Sequence, residues 1–180
     1  MAHQIRELMT GLSEIPVVDE NSTLFEAVLE IGIVRARRPG GARLPAALVL
    51  DKEKNVAGLL EFRHLLKALE PRYGEFVEST GNEGLSPDRL RAELKKYGLW
   101  EDALEGVCQK AGETSIKSLM TIPEEIQMAD AKMSINEAVY RMIASGRDHL
   151  LVRDGRVLIG VVTLSDIMGH ICDTVRACRM

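Results

Sequence analysis

Apolar and polar positions follow the same order twice along the chain. The positions of residues 5–28 recur in residues 116–139, with identical or similar side chains at matching places. The clearest matches are Met9-Thr10 with Met120-Thr121, Glu26-Ala27-Val28 with Glu137-Ala138-Val139, and Gly58-Leu59-Leu60 with Gly160-Val161-Val162. The last match has a shorter spacing, so the first copy carries nine extra residues, which we place around 35–44. This internal repeat predicts two copies of one small structural unit.

Each copy is predicted to form a strand, a helix, two strands and a second helix. Short apolar runs predict strands at 15–18, 47–50 and 56–60 in the first copy and at 126–129, 149–152 and 157–162 in the second. Helical spacing predicts a buried stripe of Leu24, Ala27, Val28 and Ile31, and another of Ile135, Ala138, Val139 and Met142. A sheet this small cannot bury its apolar face alone. The sequence therefore predicts an α+β fold in which two βαββα units pack together pseudo-symmetrically.

Residues 70–115 have no counterpart in either copy and predict a helical insertion. Ser86-Pro87-Asp88 combines a capping hydroxyl, a proline for the first helical position and an acid in the first turn, and Gly98 is typical of a helix end. A second helix is predicted at about 100–111, starting near Trp100, with Ala103, Leu104, Val107 and Cys108 on one side. The chain thus divides into a first repeat at 1–69, the insertion at 70–115, and a second repeat with a C-terminal helix at 116–180.

Composition argues against several classes of partner. A net charge of −4 and an aromatic share of 4% provide neither the basic field nor the stacking platforms that a nucleic-acid partner needs. The apolar runs fall far short of the roughly 18–20 residues that span a bilayer, and the start lacks an apolar signal segment. We therefore expect a cytoplasmic protein without membrane contact. Three scattered cysteines without a CxxC spacing predict neither a disulfide nor a metal site.

The sequence also lacks the recognisable motifs of an enzyme. It contains no GxxxxGK[ST] phosphate loop, no GxGxxG after a strand, no HExxH and no GxSxG. The four histidines are scattered, and His149, on an apolar strand, is expected to be a satisfied structural residue. We expect no catalytic residues.

The most specific motif is Gly160-Val161-Val162-Thr163-Leu164-Ser165-Asp166, at the junction of a predicted strand and helix. A Gly, two apolar residues, Thr, then Ser and Asp in this order resembles the signature of CBS repeats. The Met-Thr start of each copy agrees with it. The resemblance covers about residues 5–69 and 116–172. It implies a tandem CBS pair, a regulatory module that binds an adenine nucleotide (AMP, ADP, ATP or a related adenosyl compound) in a cleft between the repeats.

The motif has a physical interpretation of its own. A carboxylate at a helix N-terminus accepts hydrogen bonds from a ribose diol, while hydroxyls and free backbone N–H groups there favour a phosphate. Asp166 with Thr163 and Ser165 supplies these groups. The alternative is a helix cap, because Thr163 followed three residues later by Asp166 is similar to a capping box. The two roles can coexist.

By the resemblance, further ligand contacts come from the segment leading into the first strand and from the second repeat. Gly11, Ile15 and Pro16 match the positions that hold the base, and Arg147 matches a position near the phosphate. Glycine allows close approach of the backbone, and the apolar residues suit an adenine face. The alternatives are plain core for Ile15 and Pro16, and a solvated surface side chain for Arg147.

The first copy departs from the motif at its equivalent junction. Glu61 stands where the second copy has Thr163, and His64 stands where it has Asp166. A carboxylate repels phosphate, and a neutral imidazole cannot accept both ribose hydrogen bonds. We therefore expect a degenerate second site and one nucleotide per chain. His64 is either a pH-sensitive group or an ordinary residue at a helix start.

The stretch from Arg35 to Arg43 concentrates four arginines in nine residues of an otherwise acidic chain. It is either a contact for a polyphosphate or acidic partner, or a solvated loop.

Two functions from different classes fit this sequence. One is a free-standing sensor that binds an adenine nucleotide, forms a homodimer and acts on a regulated protein partner. The other is a structural module with vestigial nucleotide sites that mediates dimerisation. The intact junction at Asp166 favours the first, and the degenerate junction at His64 favours the second.

Overall fold

The computed structural model describes residues 4–37, 46–80, 86–98 and 103–178. The first repeat comprises β1 (Thr10–Gly11), β2 (Val17–Asp19), α1 (Leu24–Arg37), β3 (Ala46–Leu50), β4 (Val56–Glu61) and α2 (Phe62–Leu69). Three helices follow, α3 (Arg72–Thr80), α4 (Pro87–Tyr97) and α5 (Ala103–Glu113). The second repeat comprises β5 (Met128–Asp130), α6 (Ile135–Ser145), β6 (His149–Asp154), β7 (Val157–Thr163) and α7 (Leu164–Ala177). The predicted α+β class is confirmed.

The strands form two small sheets that face each other. One has the order β2-β3-β4 and the other β1-β7-β6-β5. In the first sheet β2 pairs in parallel with β3, and β3 pairs antiparallel with β4. In the second sheet β5 pairs in parallel with β6, and β6 pairs antiparallel with β7. An apolar cluster lies between the sheets and draws residues from both repeats: Ile15, Ala46, Leu48, Leu59, Leu151, Leu158 and Val161.

The segment that leads into each repeat packs on the other repeat. β1 pairs with β7 of the second repeat, and Thr121 exchanges two backbone hydrogen bonds of 2.8 and 2.9 Å with Leu59 of the first. Ile5 is fully buried in the core of the second repeat, and Ile116 is fully buried in the core of the first. Because each core contains a residue from the other repeat's leading segment, the two repeats are complete only together.

Of the three intervening helices, α3 and α5 pack on the first repeat, and α4 packs on α3. The predicted start and end of α4 are confirmed, since the Ser86 hydroxyl accepts from the Arg89 amide and Gly98 adopts a left-handed φ of 56°. The buried Glu70 carboxylate accepts two bonds of 2.6 and 2.7 Å from Arg72, which also donates to the Tyr97 carbonyl. This network joins the start of α3 to the end of α4.

Helix α5 packs on α1 and α2, and its Ala111 is buried in the core of the first repeat. Of the residues that the sequence places on one side of this helix, Cys108 is exposed and Val107 is half-buried. Trp100 and the side chains of 103–105 lie outside the described residues. None of the described helices is long and apolar enough to cross a membrane.

Three local predictions need correction. The stripe of α1 includes Val34 in place of Val28, which is 40% exposed, because the buried face is centred on Ala27 and Ile31. Strands β2 and β5 start two residues later than predicted, since short 3-10 turns at Leu12–Glu14 and Glu125–Gln127 precede them. Residues 35–37 of the basic stretch form the last turn of α1 and not a loop, while 38–43 lie outside the described residues.

Candidate functional site

The motif residues Thr163 and Asp166 form a reciprocal cap at the start of α7. The Thr163 hydroxyl accepts from the Asp166 amide at 3.2 Å. In return, Oδ2 of Asp166 accepts from the Thr163 amide at 3.0 Å and from its hydroxyl at 2.7 Å. Both residues are buried, and Ser165 is exposed. The cap interpretation of the motif is therefore confirmed, and the cap holds a carboxylate at a helix N-terminus.

The first turn of α7 offers fewer free N–H groups than the sequence led us to expect. The Asp166 amide is used in the cap, and the Leu164 amide donates to the Asp148 carbonyl at 2.9 Å. This second bond fixes the turn before β6 against the start of α7. Arg147 precedes Asp148 in that turn and therefore lies beside the helix N-terminus.

Arg147 joins the junctions of the two repeats. Its Nη1 donates to Oε1 of Glu61 at 3.1 Å, and Arg63 contacts the other oxygen of the same carboxylate. The Arg147 side chain is 32% exposed and that of Glu61 only 13%. Arg147 is thus neither a solvated surface residue nor an unpaired cation, and Glu61, which the sequence marked only as a departure from the motif, is its partner.

The junction of the first repeat lacks the cap found in the second. Glu61 occupies the N-cap position of α2 but makes no side-chain capping bond. His64, at the position equivalent to Asp166, is half-buried, and its Nδ1 has no hydrogen-bond partner among the described residues. The two junctions therefore differ in structure as well as in sequence.

His149 is the polar residue that the sequence analysis misjudged. It starts β6 directly opposite Thr163, on the strand face that also carries Leu151 of the cluster between the sheets. It is only 7% exposed, and within the described part of the chain its Nε2 has no hydrogen-bond partner. The expectation of a satisfied histidine is wrong. A polar residue in the apolar run of β6, paired with the motif threonine, was the available signal.

Charges around His149 act on its pKa in both directions. Burial lowers the pKa below the ordinary value of 6.5, Glu61 and Asp148 raise it, and Arg147 and Arg63 lower it further. The net effect is a lowered pKa, which leaves the imidazole uncharged at neutral pH.

The residues matched to the adenine base lie near β7 but in different settings. Gly11 in β1 pairs with Gly160, and a Cβ added to Gly11 would meet nothing within 4 Å. Ile15, 4% exposed, belongs to the apolar cluster between the sheets, as one of the two sequence interpretations had it. Pro16 is buried beside it, and its carbonyl accepts from the Leu48 amide at 2.9 Å.

A cavity of about 350 Å³, called here the outer cavity, lies between α2 and α3. It is lined by Arg63, Leu66, Lys67, Tyr73 and Val77. Arg63 thus contributes both to this outer cavity and to the ion pair with Glu61.

Comparison with known proteins identifies the second repeat directly. Residues 116–173 match the family model of the CBS domain. No curated protein sequence matches the chain significantly.

Solved structures resemble the chain over nearly its whole length. A CBS domain-containing protein of unknown function from Kribbella flavida has a TM-score of 0.63 at 18% identity, covering 94% of this chain and 97% of that chain. A putative acetoin utilization protein from Vibrio cholerae has a TM-score of 0.60 at 14% identity, covering 99% and 97%. The CBS domains of a transcriptional regulator from Streptococcus pneumoniae have a TM-score of 0.54 at 17% identity, covering 92% and 97%. At these identities the likeness shows the fold alone. Residues 116–173 therefore match the CBS domain by sequence, and the described chain has the fold of solved CBS-domain proteins.

Proposed function

We propose that this chain is a cytoplasmic regulatory module that binds an adenine nucleotide or a related adenosyl compound beside the start of α7 and catalyses no reaction. CBS-domain proteins are generally regulatory modules, and their domains commonly bind adenosyl ligands. The observation that carries the proposal is the buried Nε2 of His149, which has no partner among the described residues. A buried polar atom without a partner is costly, and a bound ligand group in the cleft would satisfy it.

The residues around His149 supply the other groups that such a ligand needs. The ribose diol is assigned to the Asp166 carboxylate, which the reciprocal cap with Thr163 holds at the start of α7. Thr163, Ser165 and Arg147 are assigned to the phosphate side of the ligand, and Gly11, Ile15 and Pro16 to the base. The junction at Glu61 and His64 also has a buried imidazole nitrogen without a partner among the described residues, but it has no capped carboxylate beside it, and this difference supports one nucleotide per chain.

A panel of melting temperatures tests this function. Ligand at 100 times its dissociation constant stabilises a protein by about 2.7 kcal/mol, a shift of several degrees for a chain of this size. We expect adenine nucleotides to raise the melting temperature of the wild type and guanine nucleotides to raise it less. Asp166→Ala should abolish the rise. His64→Ala is the matched control and should retain it. If the nucleotide-induced rise in melting temperature persists in Asp166→Ala, Asp166 serves only as a helix cap and does not bind the ligand.

The outer cavity needs its own control, because it too carries cationic side chains. Lys67→Gln changes that cavity without touching the cleft. If Lys67→Gln, and not Asp166→Ala, removes the nucleotide-induced shift, the ligand binds between α2 and α3 and the cleft assignment is wrong.

The second candidate function, a structural module that mediates dimerisation, is favoured by the exposed apolar residues on α6 and α7. These are Tyr140, Ile143, Met168, Ile171 and Val175. Such a surface is typical of an interface, and we propose that the chain forms a homodimer through it. Light scattering should give the mass of a dimer, and Ile143→Asp should give that of a monomer, with Ile122→Asp as the exposed control. A dimer that shows no shift with any adenine nucleotide would favour the structural function over the sensor.

A further inference from the structure

The Glu61 carboxylate lies between two guanidinium groups, one from each repeat. Arg147 binds Oε1 at 3.1 Å, and Arg63 binds Oε2. With 13% of the Glu61 side chain and 32% of the Arg147 side chain exposed, the ion pair between them is partly shielded from water, whereas Arg63 is largely exposed. The proposed function gives this carboxylate no role. Resting on that function, we propose that Glu61 takes the place of a ligand phosphate on Arg147 and thereby selects adenosyl ligands that carry little or no phosphate charge.

The position of Arg147 is the first step of the argument. The bond from the Leu164 amide to the Asp148 carbonyl holds the turn before β6 at the start of α7. The backbone of Arg147 therefore lies beside the Thr163–Asp166 cap, and from there its guanidinium reaches Glu61 of the first repeat. A phosphate at this helix N-terminus would need charge-assisted hydrogen bonds from Arg147, but the Glu61 carboxylate already accepts from that guanidinium.

The charge balance of the cleft is the second step. Two cations, Arg147 and Arg63, and two carboxylates, those of Glu61 and Asp148, lie close enough to His149 to act on its pKa. A third carboxylate, that of Asp166, binds Thr163 directly opposite His149. Burial lowers the pKa of His149, so its imidazole adds no further cation at neutral pH. This part of the cleft therefore has no excess positive charge to hold a triphosphate. An unpartnered imidazole nitrogen instead suits a hydroxyl or another uncharged polar group.

The difference between the repeats is the third step. The second repeat has an uncharged Thr163 at the N-cap, whereas the first has Glu61 at the equivalent N-cap without a capping bond. A glutamate that neither caps its helix nor faces open water is placed to hold Arg147 and Arg63.

Calorimetric titration of adenosine, AMP and ATP into the wild type and Glu61→Gln tests the inference at one fixed salt concentration. Adenosine should bind the wild type at least as tightly as ATP. Glu61→Gln keeps the shape of the side chain but frees both arginines, so AMP and ATP should gain about tenfold or more in affinity while adenosine is unchanged. Glu125→Gln is the matched control, because Glu125 pairs with Arg153 at 2.8 Å on an exposed surface. It should change none of the three affinities.

Circular dichroism verifies that the variant is folded. Glu61→Thr, which gives the first repeat the residue of the second, is the replacement if Glu61→Gln does not fold. A wild type that binds ATP much more tightly than adenosine would overturn the inference, and so would a Glu61 variant with the same phosphate preference as the wild type. Either result leaves the proposed nucleotide-binding function standing. Absence of binding by all three ligands to both proteins overturns the inference together with the proposed function.

Discussion

Gly160 of β7 lies against the carbonyl oxygen of Thr10, so closely that a Cβ added to Gly160 would stand 2.3 Å from that oxygen. Glycine here lets the leading segment of the first repeat cross the sheet of the second. The equivalent Gly58 lies beneath Met120, where an added Cβ would stand 2.9 Å from the sulfur. The glycine of the motif is therefore explained by the crossing of chain segments, independently of any ligand.

Gly160→Ala should destabilise the protein by about 1–3 kcal/mol, because the new methyl group meets backbone that cannot move without breaking the β1–β7 pairing. Urea unfolding measures the change. Gly11→Ala, on the facing strand with open space around it, should stay within about 0.5 kcal/mol of the wild type. Equal effects of the two substitutions would contradict the close approach.

Ile116→Ala should lower the free energy of unfolding by about 2–5 kcal/mol, because it leaves a cavity in a core. Ile116 belongs to the second repeat in sequence but is buried in the core of the first. Because the core of each repeat contains a residue from the leading segment of the other repeat, we expect the variant to unfold in a single transition. Fluorescence and circular dichroism should report the same transition. Ile122→Ala, at a residue 79% exposed, is the control and should have little effect. Two separate transitions in the variant would show that the repeats fold independently.

Thr163→Val should lower the free energy of unfolding by about 1–2 kcal/mol in the absence of ligand. The substitution keeps the shape of the side chain but removes the hydroxyl that the Asp166 amide and carboxylate both bind. Thermal or urea denaturation measures the loss. Ser165→Ala, at the exposed neighbour, should change stability by less than about 0.5 kcal/mol. If Thr163→Val is equally harmless, the cap contributes nothing to α7.

His149 should make stability depend on pH in a defined direction. Its pKa is lowered in the folded state, first by burial, so the unfolded chain takes up a proton near pH 6.5 that the folded chain does not. Stability is therefore fully present above that pH and is lost as the pH falls towards the folded value. His149→Gln removes this titration. As the pH falls from about 7.5 to about 5.5, the free energy of unfolding of the variant should therefore rise relative to that of the wild type. His170→Gln is the control, and a constant His149→Gln difference across that range would contradict the buried, uncharged state.

The sequence by itself determined the features that depend on near neighbours. The repeat and the order of its strands and helices follow from hydrophobic spacing. The starts of α4 and α7 follow from hydrogen bonds between residues three apart, at Ser86 and Thr163. Such contacts form within one turn of chain, so the residue types at a fixed spacing are enough to predict them.

The tertiary structure alone decided which distant segments meet. It placed Ile5 and Ile116 in each other's repeats and brought Arg147 to Glu61 across 86 residues of chain. It also buried His149 without a partner among the described residues. Residue spacing does not predict such contacts, because they form only when two apolar sheets pack together and exclude water. Charged and polar groups at the edge of that interface then need partners from whichever segments lie nearby.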